Sequence, residues 1–180
     1  MTFLYAAYGS NLHPVRLKSE DRCPSAKLRG TSIITGRRLT FRKRSIDRSA
    51  KCDVEITGNS SDELRIAVFE IPKSEEQALD SAEGFGSGYH KDKIQLTIHG
   101  EDLTAKIYLA DEDAIVNDAP YDWYRQMVLL GAKYHFFPNT YIDQIQSVES
   151  KIDHDESRAL RKWKEIEQME TANNSVQPTP

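Results

Sequence analysis

The chain has 180 residues, of which 29% are charged, and a formal net charge of −4. This length suffices for one domain with a sizeable core, and the composition excludes a disordered chain. The mild acidity disfavours nucleic acid as the main partner, and no apolar run is long enough to predict a membrane span.

The first predicted element is a buried strand, Phe3–Ala7, which ends in a tight loop at Gly9-Ser10-Asn11. The glycine leaves room for a ligand, because it has no side chain. The serine and asparagine can cap a following helix at His13–Leu17, with Pro14 as its first residue. Such a loop directs several backbone N–H groups toward one point, which suits a carboxylate or a developing oxyanion.

Short segments of β-branched or alternating residues predict further strands, separated by turns that contain glycine. They are Thr31–Thr35, Arg38–Phe41, Asp53–Thr57, Leu64–Glu70, Lys93–His99 and Leu103–Ala110. The last two are predicted to form a hairpin around Gly100-Glu101-Asp102.

Four longer helices are predicted among and after these strands. Ser74 and Gln77 form a capping-box pattern that opens a helix through about Ala82. The others are Pro120–Leu130, which closes near Gly131, Thr140–Glu149 and Asp155–Glu170. The last helix carries Leu160, Trp163 and Ile166 at helical spacing. This stripe either covers the barrel or contacts a second copy in a homodimer, and the first option is favoured.

Strands that come first, with helices inserted and appended, predict the α+β fold class: a mixed/antiparallel β-barrel-like core with peripheral helices. We expect a single domain over residues 1–170. Residues 171–180 lack hydrophobic periodicity and end in Pro-Thr-Pro, which predicts a disordered tail.

The cysteines, the histidines and the N-terminal sequence predict the cellular location of the protein and whether it binds a metal ion. Cys23 and Cys52 are too few for a disulfide framework and are interpreted as free thiols. The N-terminus has no signal-peptide pattern, so we expect a cytoplasmic protein. The five histidines have no metal-ligand spacing among themselves or with the cysteines, and no metal site is predicted.

A second informative segment is Leu79-Asp80-Ser81-Ala82-Glu83-Gly84, at the end of the predicted short helix. A carboxylate at a helix end is most often a solvated surface charge. Glu83, however, directly precedes the glycine-dense loop Gly84–Tyr89, where the backbone can approach a ligand closely. The glycines have neither Walker nor dinucleotide spacing and lead into a strand, so they do not predict a phosphate loop.

Three motifs together resemble the γ-glutamylcyclotransferase family, which is related to the AIG2-like and butirosin-biosynthesis cyclotransferases. The segment Phe3–Leu12 is similar to the family's N-terminal signature. Leu79-Asp80 and Glu83-Gly84, followed by Tyr89, resemble its catalytic segment. Tyr124, seven residues before Gly131-Ala132-Lys133, resembles its third segment. The motifs occur in the family's order, and the likeness spans about residues 3–150.

The resemblance implies a cofactor-free enzyme whose partner is a small-molecule γ-glutamyl compound rather than nucleic acid or a membrane. The substrate's α-amino group attacks its own γ-carbonyl, which forms 5-oxoproline and releases an amine or amino acid. The resemblance makes Glu83 the general acid/base. It also implies a substrate-binding set consisting of Tyr5, Ala6, Ala7, Tyr8, Gly9, Ser10, Asn11, Tyr89 and Tyr124.

Alternatives from other functional classes remain open. The same pocket could serve a non-catalytic module that binds a small ligand or regulates a partner. A serine hydrolase is disfavoured, because Ser10 lacks the glycine spacing of a nucleophile elbow. A catalytic thiol is also disfavoured, because no local pattern pairs Cys23 or Cys52 with a histidine.

The basic stretch Arg37–Lys51 has three readings. A solvated hairpin edge is favoured over a nucleic-acid patch, because aromatic side chains are not interleaved beyond Phe41. In the third interpretation, one arginine of this stretch lies near the substrate and binds a substrate carboxylate.

Overall fold

The computed structural model describes residues 1–176, which contain seven strands and five α-helices. The strands are β1 (Thr2–Ala7), β2 (Lys27–Thr35), β3 (Arg37–Arg44), β4 (Ala50–Ile56), β5 (Glu63–Pro72), β6 (Tyr89–Ile98) and β7 (Glu101–Ala110). The helices are α1 (Pro14–Leu17), α2 (Glu76–Glu83), α3 (Asp122–Tyr134), α4 (Asn139–Gln146) and α5 (Glu156–Ser175). None of the helices in this part of the chain is long and apolar enough to span a bilayer.

The main sheet has five strands in the order β2-β5-β1-β7-β6, and β3 and β4 form a separate two-stranded sheet. β1 lies at the centre, antiparallel to β5 and parallel to β7. The second half of β1, Tyr5 to Ala7, is buried on both faces, as expected for a central strand with a continuous apolar sequence.

The main sheet curls until its two edge strands meet. The Ser32 hydroxyl of β2 donates a hydrogen bond to the Thr97 carbonyl of β6 at 3.0 Å. Gly30 lies so close to β6 that an added Cβ would stand 2.7 Å from Ile98 Cγ2. The sheet therefore forms a mixed, curled half-barrel surrounded by helices, and the predicted α+β fold class is confirmed.

Every predicted strand is present, but the boundaries differ. The predicted Thr31–Thr35 strand begins at Lys27, because a bulge between Leu28 and Gly30 lets its first residues continue the pairing with β5. The hairpin turn also lies one position earlier than predicted. It consists of His99 and Gly100, both with positive φ, so that Glu101 already pairs with Ile98. Two positive φ angles are the requirement of a type I′ turn.

Two predicted helix caps are wrong. The residues after β1 form a 3₁₀ turn, Ser10–Leu12, and the side chain that caps α1 is His13, which accepts from the Val15 N–H at 3.2 Å. Pro14 is the first residue of α1, as predicted. Ser74 does not cap with its side chain; it lies in a 3₁₀ turn, Lys73–Glu75, that leads into α2.

The predicted end of α3 at Gly131 is also wrong, because the helix continues to Tyr134. A Cβ at position 131 would lie 2.6 Å from Leu12 Cβ and 3.0 Å from the His13 backbone nitrogen. This glycine therefore permits close packing of α3 on the loop after β1. It brings α3, with Tyr124 in its first half, against that loop.

The last helix packs on α3 and is longer than predicted. Residues Thr171–Ser175, predicted as the start of a disordered tail, continue α5, while 177–180 lie outside the described residues. Ile166 and Met169 are buried, whereas Leu160 and Trp163 are largely exposed. Only part of the predicted apolar stripe therefore covers the domain.

Candidate active site

Glu83 is the last residue of α2, and its position depends on the glycine that follows. Gly84 adopts a left-handed conformation with φ +69°, and its N–H returns to the Ser81 carbonyl at 3.2 Å. A left-handed C-terminal glycine ends a helix without the steric cost of a Cβ. Leu79, fully buried, anchors the helix in the core. The Glu83 side chain is half-buried.

The carboxylate of Glu83 faces the loop that follows β1. The Tyr5 hydroxyl donates a hydrogen bond to Glu83 Oε1. Asn11 Nδ2 donates to the same oxygen at 2.8 Å. Glu83 Oε2 has no hydrogen-bond partner within residues 1–176. One carboxylate oxygen is thus held by two donors while the other is available for chemistry.

Asn11 leaves an unusual group in the same place. Asn11 is 4% exposed, and its Oδ1 is a buried acceptor with no hydrogen-bond partner among the described residues. The amide orientation is defined by the Nδ2 donation to Glu83, since a carboxylate cannot donate to Oδ1. An unsatisfied buried acceptor carries a desolvation cost of about 1–3 kcal/mol, which a donor on a ligand can remove.

The predicted loop residues surround a narrow inner cavity of about 20 Å³. Every predicted site residue lines this cavity except Ala6 and Ala7, which are fully buried within β1. Gly9 allows close approach here, because a Cβ would lie 3.1 Å from Cys52 Cβ. The backbone N–H groups of Gly9, Ser10 and Asn11 have no acceptor within residues 1–176.

Three tyrosine hydroxyls of the inner cavity bond to the backbone. Tyr8 donates to the Tyr108 carbonyl at 2.6 Å, and Tyr89 donates to the Cys52 carbonyl. The hydroxyl of Tyr124 accepts from the Cys52 N–H at 3.2 Å. Burial raises the pKa of all three phenols well above its usual value, so they remain protonated donors. The bond from the Cys52 N–H uses an oxygen lone pair of Tyr124, and the Tyr124 hydroxyl also interacts with the Cys52 side chain.

A wider outer cavity of about 370 Å³ opens from the inner one, and both share Ser10, Asn11, Glu83, Tyr89 and Tyr124. Four cationic residues that sequence reasoning did not assign to the site line the outer cavity, namely Arg16, Arg22, Lys43 and Lys51. The basic stretch at residues 37–51 was the only sequence pattern that pointed to such cations, and one interpretation of it placed an arginine near the substrate. The structure brings lysines of that stretch to the cavity instead.

Three of the seven cationic residues in the basic stretch form ion pairs within their own hairpin. Arg42 Nη2 lies 2.8 Å from Asp53 Oδ2, and Arg38 forms an ion pair with Glu55. Lys51 Nζ lies 2.6 Å from Asp47 Oδ2. This internal neutralisation supports the solvated hairpin edge over a nucleic-acid patch.

A third cavity, of about 510 Å³, lies elsewhere, between β3, the start of β5 and α4. None of the predicted site residues lines it, and its arginines Arg38 and Arg65 are paired with Glu55 and Glu63. We therefore place the candidate active site at the smaller cavities around Glu83, where the carboxylate has a free oxygen and Asn11 has an unsatisfied acceptor.

The cysteines and the acidic groups indicate neither thiol nor metal chemistry in the described part of the chain. Cys23 and Cys52 are both free and buried. Burial raises the pKa of the Cys52 thiol to about 12, which keeps it protonated near neutral pH. Within residues 1–176, no group of three or more His, Cys, Asp or Glu side chains is arranged to hold a metal ion.

Comparisons with known proteins find similar sequences. The model of the AIG2-like family matches residues 63–145, which contain Glu83, Tyr89 and Tyr124. A mouse protein named gamma-glutamylcyclotransferase is 29% identical over 154 residues, which cover 82% of this chain and 79% of the mouse protein. A bovine protein of the same name is also 29% identical, with the same coverage.

Solved structures show the same fold. A structure named gamma-glutamyl cyclotransferase superposes with a TM-score of 0.74 at 24% identity, covering 90% of this chain and 99% of that one. An uncharacterized human protein gives a TM-score of 0.72 at 24% identity, covering 89% and 98%. The resemblance of this chain to the γ-glutamylcyclotransferase family is therefore confirmed, in sequence by the family model and the relatives and in fold by the solved structures.

Proposed function

We propose that this protein is a cofactor-free γ-glutamylcyclotransferase that converts a γ-glutamyl amino acid, peptide or amine to 5-oxoproline. The observation that carries the proposal is the cluster of Tyr5, Asn11 and Glu83 beside a loop with free backbone donors. The names of the mouse and bovine relatives support the same activity. A cytoplasmic location accords with the two free thiols.

The proposed reaction is an intramolecular aminolysis. The substrate's α-amino nitrogen forms a bond to the γ-carbonyl carbon, and the bond from that carbon to the leaving nitrogen breaks. The α-ammonium loses two protons as it becomes the N–H of the lactam. One is passed through the protein to the leaving nitrogen so that the C–N bond can break, and the second leaves on the released amine as its ammonium, so no water is consumed. Holding the glutamyl chain in the folded-back conformer supplies much of the acceleration, because well-oriented intramolecular reactions gain about 7–11 kcal/mol.

Glu83 is proposed to carry the proton in both directions. Its Oε2 takes a proton from the α-ammonium before attack and later gives one to the departing nitrogen. Tyr5 and Asn11 are positioning residues for this carboxylate, since both hold Oε1 and thereby orient Oε2. Asn11 Oδ1 is proposed to accept a hydrogen bond from the substrate's α-ammonium, which would satisfy this buried oxygen.

Stabilisation of the tetrahedral oxygen is assigned to the loop after β1. The N–H groups of Gly9, Ser10 and Asn11 have no acceptor within residues 1–176 and belong to residues that line the inner cavity. Fixed backbone donors of this kind stabilise an oxyanion without reorganisation. The Tyr124 hydroxyl, which lines the inner cavity, is proposed to contact the glutamyl chain from α3.

The proposal is tested by incubating the protein with γ-glutamyl-alanine, a γ-glutamylamine and glutathione, and by measuring 5-oxoproline. We expect 5-oxoproline and the free leaving group in equal amounts from at least one of them. Binding of these compounds without release of 5-oxoproline would contradict the proposed cyclotransferase activity and favour a non-catalytic binding module.

A further inference from the structure

We infer that Arg22 and Lys43 form an anion-binding subsite that selects γ-glutamyl substrates whose leaving group carries a carboxylate. This inference rests on the proposed function and concerns the half of the substrate that is released. An amino acid or peptide leaves with a carboxylate, whereas a simple amine leaves without one. The subsite would therefore favour the first two classes over the third.

The charge of the outer cavity is strongly one-sided. Its lining contains four cationic residues, Arg16, Arg22, Lys43 and Lys51, and a single acidic residue, Glu83. Glu83 and Asn11 lie where the two cavities meet, and the inner cavity has room only for a water-sized group, so the glutamyl half of a substrate is placed at the Glu83 end of the outer cavity. The remainder of the outer cavity is left for the leaving group, which then lies among the cations.

Two of the four cations already have partners. Arg16 Nη1 lies 2.7 Å from Glu165 Oε1, and its Nε donates to Ser10 Oγ at 2.9 Å. Lys51 Nζ lies 2.6 Å from Asp47 Oδ2. These two residues are therefore engaged in holding the walls of the cavity.

Lys43 has no such compensation. Lys43 is only 6% exposed, and its Nζ donates to the Ser87 carbonyl at 3.0 Å. Nζ also lies 4.5 Å from the centre of the Tyr89 ring. It forms no ion pair with a carboxylate in the described part of the chain. Burial lowers the pKa of Lys43, as expected for a cation removed from water without a charged partner.

Arg22, which lines the same cavity, is in a similar state. It is half-buried, and within residues 1–176 its guanidinium forms neither an ion pair nor a side-chain hydrogen bond. Burial is the main cause that lowers its pKa, followed by the like charge of Arg16. A guanidinium has five donors in a planar fork that matches a carboxylate. A buried cation without a partner is costly, and an anionic ligand group would offset that cost.

A purely structural role for Lys43 makes a different prediction. The lysine also ties the glycine loop to β3, since a Cβ at Gly88 would lie 2.9 Å from Lys43 Cε. If that were its only role, substitution would lower activity equally for all substrates. The discriminating quantity is therefore the ratio of kcat/KM values for a charged and a neutral leaving group.

The experiment compares γ-glutamyl-alanine with γ-glutamyl-alaninamide, whose leaving groups end in a carboxylate and in a neutral amide of similar size. For the unaltered protein we expect kcat/KM to be about tenfold or more higher for the carboxylate, the scale of one charge-assisted hydrogen bond. Arg22→Gln and Lys43→Gln should each reduce this ratio, and the double variant should bring it close to one. Lys43→Arg, which keeps the charge, should retain most of it.

Matched controls remove one positive charge outside the cavity. Lys18→Gln and Arg44→Gln alter exposed residues near each subsite residue in sequence and should leave the ratio unchanged. A ratio near one in the unaltered protein, or an unchanged ratio in the double variant, overturns the subsite while leaving cyclisation intact.

A binding measurement separates failure of the subsite from failure of the proposed function. Calorimetry of Glu83→Gln with both compounds is expected to show about tenfold tighter binding of γ-glutamyl-alanine. If the unaltered protein releases no 5-oxoproline yet this preference persists, the cyclisation proposal fails and the anion subsite stands. Equal affinity, or no binding of either compound, overturns the subsite.

Discussion

Replacing Glu83 by glutamine changes one atom of the candidate active site. Gln Oε1 can still accept from the Tyr5 hydroxyl and from Asn11 Nδ2, so both existing hydrogen bonds are kept. The atom that is lost is the free Oε2, which becomes an amide nitrogen that cannot take up a proton. We therefore expect an intact fold and intact substrate binding, with turnover removed.

The magnitude follows from the loss of general acid–base catalysis. A fall in kcat of about 100-fold or more is expected, which raises the activation free energy by about 2.7 kcal/mol or more. KM should change by no more than about threefold, because the interactions that bind the ground state remain. The assay is release of 5-oxoproline from γ-glutamyl-alanine, with circular dichroism and Tm to verify folding.

The matched control is Glu76→Gln, on the same helix but outside the cavities, where the carboxylate pairs with Lys91 and Lys106. We expect its kcat to remain within about twofold of the unaltered protein. A folded Glu83→Gln variant with full activity would refute the assignment of the proton carrier.

Three further substitutions test other parts of the structure. Tyr124→Phe removes a single hydroxyl and should lower kcat/KM by about fivefold, and an unchanged value would exclude this hydroxyl from substrate contact. Gly131→Ala places a Cβ 2.6 Å from Leu12 Cβ and should reduce the free energy of unfolding by about 1–3 kcal/mol in urea titrations, whereas unaltered stability would show that α3 can shift at no cost. Hydrogen bonding from Arg158 is the main cause that lowers the pKa of Asp153 from 3.8 to about 2. The ionised Asp153 carboxylate therefore contributes its full stabilisation above pH 3.8, and this contribution is lost as the pH falls through about 2. In Asp153→Asn the decline of stability between about pH 4 and about pH 2 should therefore be shallower, and a parallel decline would contradict the pairing.

The sequence predicted the parts of the site that depend on local patterns. The strand at residues 3–7 and its Gly-Ser-Asn loop are contiguous, and Glu83 is marked by a helix end and the glycines after it. The structure brings these segments together at the inner cavity. The catalytic and binding roles assigned to them remain predictions.

Features that depend on tertiary contacts were not accessible from the sequence. Gly131 resembles a helix stop in isolation, but its neighbour is Leu12, more than a hundred positions away, and close packing lets the helix continue. The cap of α1 was misassigned for a local reason, because a 3₁₀ turn includes Ser10 and Asn11 before the helix begins.

The cations of the outer cavity illustrate the same limit. Arg22 lies in a loop and Lys43 in β3, and no spacing rule connects them. The basic stretch around Lys43 contains two arginines, Arg38 and Arg42, with carboxylate partners on the same hairpin, and the sequence alone does not distinguish the lysine that faces the cavity. Only their shared cavity and the absence of a carboxylate partner in the described chain identify them as a pair.

The most direct test of the central claim is turnover of γ-glutamyl-alanine in water enriched in oxygen-18, with all products identified by mass. Intramolecular attack by the α-amine consumes no water, so the account predicts 5-oxoproline without oxygen-18, an equal amount of alanine and no glutamate. Glutamate that carries oxygen-18 would show attack by water on the γ-carbonyl. That result would contradict cyclisation at Glu83.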